Sequence, residues 1–137
     1  MSAERVDLVK QGFEAWNKGD RSWVLKHMTE DVEWITPPTD PEPGHYKGYA
    51  GVEKFWDQWR VAVGQLRFEP EEFIDSGDTV VVVAKRSGRG EQSGLEVSDR
   101  VVQVFSFEGD KCVRVQEFYD RGSALNAVRA ETIRAES

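Results

Sequence analysis

The chain has 137 residues, enough for one domain with one hydrophobic core, and its 18 basic and 25 acidic residues give a formal net charge of −7. Nucleic acids and anionic membranes attract clustered Lys and Arg, so this acidic balance predicts that neither is a partner. The single cysteine, Cys112, excludes an internal disulfide and a cysteine-rich zinc site, as expected for a protein of the reducing cytoplasm.

The N-terminal third has the spacing of helices followed by a short strand. Apolar residues three or four positions apart predict an amphipathic helix over residues 3–18, at Val6, Val9, Phe13 and Trp16. Gly19 is suited to end this helix, and Asp20 is suited to cap a second one. Alternating apolar residues then predict a strand over residues 31–35.

A proline-rich loop separates this strand from a third helix. Residues 36–44 hold four of the five prolines, and proline cannot continue a helix or an inner strand. Helical spacing returns over residues 50–63, through Val52, Phe55, Trp56, Trp59 and Val63. We therefore expect a third helix that starts shortly after the loop.

The rest of the chain has the pattern of strands and a short terminal helix. Strands are predicted over residues 66–75, 79–85, 95–107 and 111–119. Pro70 indicates a bulge or a sheet edge in the first of them, and the glycine-rich residues 87–94 indicate a loose connection. Ala124, Leu125 and Val128 mark the terminal helix, and residues 1–4 and 130–137 are expected to fray.

Helices first and antiparallel strands later predict a single α+β domain over residues 1–137. A strongly curved antiparallel sheet wrapped around the N-terminal helices would leave an internal pocket between the two layers. The last two strands pair as a hairpin across Gly109 and Asp110. Glu117 interrupts the apolar run of the closing strand, where a carboxylate is costly unless it is solvated, paired or used.

Several short motifs carry a resemblance to a known family. They are residues 17–20 (NKGD), 30–34 (EDVEW), 46–48 (YKG), 107–111 (FEGDK) and 117–120 (EFYD). In this order the chain resembles the SnoaL-like proteins of the nuclear transport factor 2-like superfamily, along nearly its whole length. The resemblance implies a cone-shaped fold whose mouth is formed by the loop after the first strand. It leaves the activity open, because this fold carries isomerases, cyclases, hydrolases, dehydratases and non-catalytic binders.

The resemblance implies a candidate role for Glu117. In limonene-epoxide-hydrolase-like members, a carboxylate of the segment that matches residues 115–120 faces the cavity and belongs to the catalytic set. Alternation along the strands and pairing centred on Gly109 and Asp110 then bring further residues to the same face. These are Val115, Tyr119, Arg100, Val102, Val104 and Ser106. We expect Glu117 to be the acid or base, Tyr119 a hydrogen-bond donor and Arg100 the group that orients the carboxylate, or a structural ion-pair partner.

Part of the hydrolase pattern is missing. Those enzymes need an Arg and a second Asp two residues apart on the preceding long strand, whereas residues 83–88 (VAKRSG) contain no acid. Epoxide hydrolysis is therefore not expected. Polyketide cyclases of the SnoaL type use one Asp as acid and base, a part that falls to Asp99 only if Glu117 does not take it. Because Asp99 and Arg100 are adjacent on a strand, only one of them can face the pocket.

Large apolar residues are expected to line the pocket. The candidates are Trp34, Phe55, Trp59, Val102 and Val104, with His45 beside the mouth. An apolar cavity with few polar anchors suits a small, largely apolar organic molecule. His27 is expected at the surface, and two isolated histidines among scattered acids predict neither a metal site nor a cofactor.

The opposite face of the sheet is expected to carry much aromatic surface, which predicts a homodimer packed through that outer face. Its predicted residues are Val101, Gln103, Phe105 and Phe107, with Arg114, Gln116 and Phe118. Two functions follow: a cofactor-independent isomerase, cyclase or hydrolase, or a non-catalytic ligand-binding or scaffold homodimer. The enzyme requires Glu117 in the cavity without a close pair to Arg100. The binder predicts a collapsed cavity or a buried bidentate pair that neutralises Glu117.

Overall fold

Four helices and six strands follow one another in the computed structural model, which describes residues 2–40 and 43–136. Pro41 and Glu42 of the predicted proline-rich loop and the two terminal residues therefore lie outside the described part. The helices are α1 (Ser2–Asn17), α2 (Arg21–Lys26), α3 (Gly48–Val63) and α4 (Arg121–Glu136). The strands are β1 (Met28–Ile35), β2 (His45–Lys47), β3 (Arg67–Asp75), β4 (Thr79–Arg89), β5 (Glu96–Glu108) and β6 (Lys111–Phe118).

All six strands form one sheet, in the order β2-β1-β6-β5-β4-β3. Neighbouring strands are antiparallel except β1 and β6, which run parallel. The sheet curls around α1 and α3, and the main hydrophobic core lies between these helices and its concave face. A second, smaller core lies on the other face, where α4 packs through Ala124 and Val128. The predicted α+β fold is confirmed.

Local signals predicted several features correctly. Asp20 caps α2, since its Oδ1 accepts a hydrogen bond from the Trp23 backbone N–H at 3.1 Å. The sheet order makes β3 an edge strand, and the pairing of β3 with β4 shifts register between Pro70 and Glu72. Proline cannot donate a ladder hydrogen bond, so this residue is tolerated at such a position.

The predicted connection over residues 87–94 begins later than expected, because β4 continues to Arg89 and Ser87 pairs with Ser98 of β5, which leaves residues 90–95 as the connection. A Cβ on Gly88 would lie 2.9 Å from the carbonyl oxygen of Val63 at the end of α3. Glycine is therefore needed there for a close approach of two backbones and not for a flexible loop. The terminal helix is also longer than expected, with 16 residues.

Asn17 joins the end of α1 to the edge strand β3. Its Nδ2 donates to the Phe68 carbonyl oxygen at 2.8 Å, and its Oδ1 accepts from the Phe68 N–H at 3.0 Å. The side-chain amide thus takes the place of a neighbouring strand and satisfies both backbone groups of a buried residue.

We expect Asn17→Ala to lower the free energy of unfolding by about 2 kcal/mol, because it leaves two backbone groups without partners. The measurement is urea denaturation. Gln65→Ala is the matched control, since it removes one exposed bond to the same helix end, from Gln65 Nε2 to the Trp16 carbonyl oxygen. Equal losses in the two variants would contradict this role for Asn17.

Candidate functional site

The register of the β5–β6 hairpin decides which side chains share a face with Glu117. Glu108 pairs with Lys111 across the predicted turn, but the register shifts between Ser106 and Phe107, which leaves one extra residue on β6. Beyond this bulge Glu117 lies opposite Gln103. A shift of one residue in the pairing exchanges the two faces of a strand. The side of β5 that was predicted to face the cavity therefore faces away from it.

Three predicted site residues are consequently misplaced. Val102 and Val104 belong to the smaller core beneath α4, on the side of the sheet away from Glu117. Arg100 does not approach Glu117; its Nε donates to Glu71 Oε1 on β3 at 2.7 Å, and its side chain is 59% exposed. The prediction that these residues line the pocket is wrong, because the bulge in β6 shifts its register with β5 by one residue.

The aromatic surface predicted for the outer face is wrong for the same reason. Val101, Phe105 and Phe107 belong to the main core, and Gln103 and the two phenylalanines line its cavity. Phe118 of β6 lies on the outer face as predicted, where it packs with Val102, Val104 and α4 and is buried. The observation from which the homodimer was predicted is therefore absent from the part of the chain that the structure describes.

A cavity of about 100 Å³ lies between the helices and the concave face of the sheet. All five tryptophans of the chain line it. They are Trp16, Trp23, Trp34, Trp56 and Trp59, accompanied by Phe13, Phe55, Phe68, Phe105 and Phe107. The structure thus places the predicted residues Trp34, Phe55 and Trp59 at the cavity, which has an almost wholly apolar lining.

Glu117 is the buried carboxyl group of this cavity, with 3% of its surface exposed. Its Oε1 accepts from Trp34 Nε1 at 3.1 Å, and its Oε2 accepts from Gln103 Nε2 at 2.9 Å. Burial raises the pKa of Glu117, although the two hydrogen bonds and the charge of Arg86 act in the opposite direction. A carboxyl group with a raised pKa and neutral partners is suited to donate or accept a proton.

Arg86 is a site residue that the sequence analysis did not select. It lines the cavity with 4% of its surface exposed, and its guanidinium carbon lies 4.9 Å from the centre of the Trp59 ring. Burial would lower the pKa of Arg86, but the bonds to Asp99 and the charge of Glu117 outweigh it and raise that pKa. Lys85 and Arg86 follow the apolar run of β4, and alternation with Val82 and Ala84, which face the main core, was the signal that could have indicated Arg86.

Asp99 and Tyr119 lie around Arg86. Asp99 accepts two hydrogen bonds from Arg86, so Asp99 rather than Arg100 is the residue directed towards the pocket side. Tyr119 follows the end of β6, is 44% exposed and donates to Asp40 Oδ1 at 2.5 Å. Burial and the Asp40 carboxylate raise the pKa of Tyr119, and the neighbouring Arg86 opposes them. Tyr119 is not among the described lining residues.

The structure differs from the predictions for both histidines. His45, expected beside the mouth, is not among the described lining residues, and its half-exposed side chain places Nε2 3.2 Å from Glu33 Oε1. His27, expected at the surface, lines the cavity and stacks on Trp23 with ring centres 3.8 Å apart. Its Nδ1–H donates to the Trp23 carbonyl oxygen at 2.8 Å, which leaves Nε2 free of this bond.

In residues 2–40 and 43–136, no group of three or more His, Cys, Asp or Glu side chains is arranged to hold a metal ion. None of the described helices is long and apolar enough to cross a membrane. Among the described lining residues, the charged and polar side chains at the cavity are Glu117, Arg86, Gln103 and His27, with indole N–H groups beside them.

Comparison with known proteins bears on this cavity. A family model described as a SnoaL-like domain matches residues 9–115. An uncharacterized protein of Mycobacterium tuberculosis (strain H37Rv), Rv0034, is 25% identical over 115 residues, which are 83% of this chain and 87% of that protein. The crystal structure of TerC co-crystallized with polyporic acid superposes with a TM-score of 0.73 at 24% identity, covering 90% of this chain and 96% of TerC. A protein of Jannaschia sp. CCS1 described as a SnoaL-like polyketide cyclase gives a TM-score of 0.74 at 20% identity and 92% coverage of both chains.

Proposed function

The chain belongs to the SnoaL-like family of the nuclear transport factor 2-like superfamily, and from this premise we propose that its cavity binds a small, largely apolar organic molecule against Glu117. One observation carries the proposal. A buried carboxyl group reaches an aromatic cavity and is held there by two neutral donors, Trp34 and Gln103, and not by an ion pair. Burying such a group is costly, and its use on a ligand would offset that cost.

The size of the cavity limits the ligand. An apolar cavity of about 150 Å³ holds a benzene-sized molecule. The cavity of this chain, at about 100 Å³, is smaller than that, so the ligand we propose is smaller than benzene or places only its reactive end in the cavity. TerC, of the same fold, was co-crystallized with polyporic acid, which supports an organic ligand for this chain.

The chemistry we propose is proton transfer of the isomerase or cyclase type without a cofactor. A neutral Glu117 would donate its proton to a ligand oxygen, and the carboxylate formed would then remove a proton from a neighbouring carbon. Arg86 lines the cavity and would influence the protonation of Glu117 without contacting the reacting atoms of the ligand. Arg100 and Tyr119, predicted for these supporting roles, do not line the cavity in the described structure, so neither enters this proposal.

The proposal predicts that small enones, hydroxylated aromatics or epoxides raise the melting temperature of the wild-type protein and quench its tryptophan fluorescence, because all five tryptophans line the cavity. Glu117→Gln should retain the cavity and bind more weakly any ligand that accepts a proton from Glu117. Deuterium exchange at the carbon next to a ligand carbonyl, followed by NMR, separates chemistry from binding. If no compound of these classes affects either signal, the proposal is wrong.

A second candidate is a non-catalytic binder or scaffold, including the predicted homodimer through the outer sheet face. The nearly complete burial of Glu117 favours this reading, since a carboxyl group that is 3% exposed can also serve as a structural anchor for Trp34 and Gln103. Ligand binding without deuterium exchange would support the binder. Light scattering tests self-association separately, and a monomer at all concentrations would exclude the homodimer.

A further inference from the structure

We infer that Asp99, on β5, controls the charge of the buried Glu117 by occupying the guanidinium group of Arg86. Asp99 and Arg86 are then positioning residues, which act on the ligand through Glu117. The inference rests on the proposed function, because the charge of Glu117 decides whether the cavity presents a proton donor or an anion to the ligand.

The first step is the geometry of the pair. Arg86 and Asp99 face each other across β4 and β5. Arg86 Nε donates to Asp99 Oδ1 at 3.0 Å, and Arg86 Nη2 donates to Oδ2 at 2.8 Å. This two-bond fork fixes the guanidinium plane and commits one edge of it to Asp99. The Arg86 side chain is 5% exposed, whereas that of Asp99 is 39% exposed, so the carboxylate reaches solvent and the cation does not.

The second step is the balance of charge around Glu117. The two bonds to Asp99 hold the Arg86 guanidinium outside ion-pair distance of Glu117, so its charge lowers the pKa of Glu117 without pairing with it. Glu117 makes no ion pair with Arg86 within 4.0 Å in the described structure, and its hydrogen-bond partners are neutral. Ionised Glu117 would therefore be a buried charge with no cation of its own, a state that proteins avoid by retaining the proton.

The other titratable groups near Glu117 do not supply that cation. Asp40, in the loop after β1, has the same sign as Glu117 and favours its neutral form. Neither Tyr119, which lies beside Arg86 and Asp40, nor Cys112 can carry a positive charge. Burial raises the pKa of the Cys112 thiol to about 12. His27 lines the cavity at the end of α2, while α1 and α3 contribute apolar and aromatic lining residues. Of the described lining residues, Arg86 is the only Lys or Arg.

The experiment measures the titration of Glu117 directly, by NMR of the protein with ¹³C-labelled Glu carboxyl groups. The Glu117 signal is the one that Glu117→Gln removes. Asp99→Asn removes the carboxylate that binds Arg86, so the positive charge of Arg86 can stabilise ionised Glu117. We expect this change to lower the pKa of Glu117 by about one unit. Arg86→Gln removes the cation and should raise that pKa. In the Arg86→Gln background, Asp99→Asn should have less than about a third of its effect in the wild type.

Glu71→Gln is the matched control. Glu71 accepts a similar fork from Arg100, the residue next to Asp99, with distances of 2.7 and 3.3 Å, but on the face away from Glu117. It should leave the titration of Glu117 unchanged. If Arg86→Gln does not fold, as judged by circular dichroism, Arg86→Met supplies the background without a charge.

Two results would overturn the inference: an unchanged or raised pKa of Glu117 in Asp99→Asn, or an equal shift with and without Arg86. The titration needs no ligand, so its outcome is independent of the ligand screen. If the titration gives the expected result and no ligand is found, the control of Glu117 by Asp99 stands and the proposed function is wrong. If a ligand is found, its pH profile of binding should move with the pKa of Glu117 in Asp99→Asn.

Discussion

Glu117→Gln is expected to be more stable than the wild type at pH 8, by an amount that disappears towards pH 4. Burial raises the pKa of Glu117 in the folded protein above its value of about 4.3 in the unfolded chain. Between those two values the folded state holds more protons than the unfolded state. The wild type therefore loses stability as the pH rises through this window, by about 1.4 kcal/mol for each unit of pKa difference.

Gln is the right replacement because it preserves the hydrogen bonds. Its amide oxygen can accept from Trp34 Nε1, and its amide nitrogen can donate to Gln103 once the amide of Gln103 is turned over. The variant thus resembles protonated Glu117 without the ability to ionise. If Glu117 is the acid or base of a reaction, the same change should lower the rate by about 10²–10⁴-fold.

The measurement is urea denaturation of both proteins between pH 4 and pH 9. The difference between them isolates Glu117 from the other acidic residues. Glu71→Gln is the control, because the bond from Arg100 lowers the pKa of Glu71, so this variant should gain nothing over the wild type as the pH rises. A difference between wild type and Glu117→Gln that stays constant over the whole range would show that Glu117 does not titrate anomalously.

Gly12→Leu is expected to abolish ligand binding while the protein remains folded. Gly12 lies in the middle of α1 and lines the cavity, and a Cβ added to it would make ordinary contact with Trp23 at 3.7 Å. A longer side chain would extend into the cavity of about 100 Å³ and fill the space that we assign to the ligand. The change leaves Glu117, Arg86 and their hydrogen bonds in place.

Gly12→Ala is the matched control. It replaces glycine inside a helix, which is expected to stabilise the protein by about 0.5–1 kcal/mol, and it leaves most of the cavity open. Thermal unfolding with and without a ligand from the screen measures both effects. The Ala variant should keep its ligand-induced rise in melting temperature and the Leu variant should lose it. Undiminished binding by Gly12→Leu would place the ligand outside this cavity.

Local features of the fold were predictable because they depend on neighbours in the sequence. The spacing of Phe13 and Trp16 predicted the buried side of α1, and Asp20 predicted the cap of α2. Pro70 predicted the irregular edge strand. The role of Gly88 could not be predicted, since a glycine that permits a close backbone approach looks the same in the sequence as a glycine in a loop.

The candidate site was only partly predictable. Glu117 stood out because a carboxylate in an apolar strand is unusual, and the cavity position of Trp34, Phe55 and Trp59 followed from the resemblance. Arg86 and Asp99 did not stand out as a pair, since they are 13 residues apart and meet only when β4 and β5 align. Nothing in their local sequence indicates that pairing.

The helices, most of the strands and the family can be predicted from the amino-acid sequence alone, because periodicity, capping and turn residues act over a few positions. Which side chains reach Glu117 depends on how the strands pair in the folded chain. The bulge in β6 moves the register by one residue and turns Gln103 inward and Val102 outward. Register depends on how whole strands pair and bury their faces, and that free energy is not contained in any short stretch of the chain.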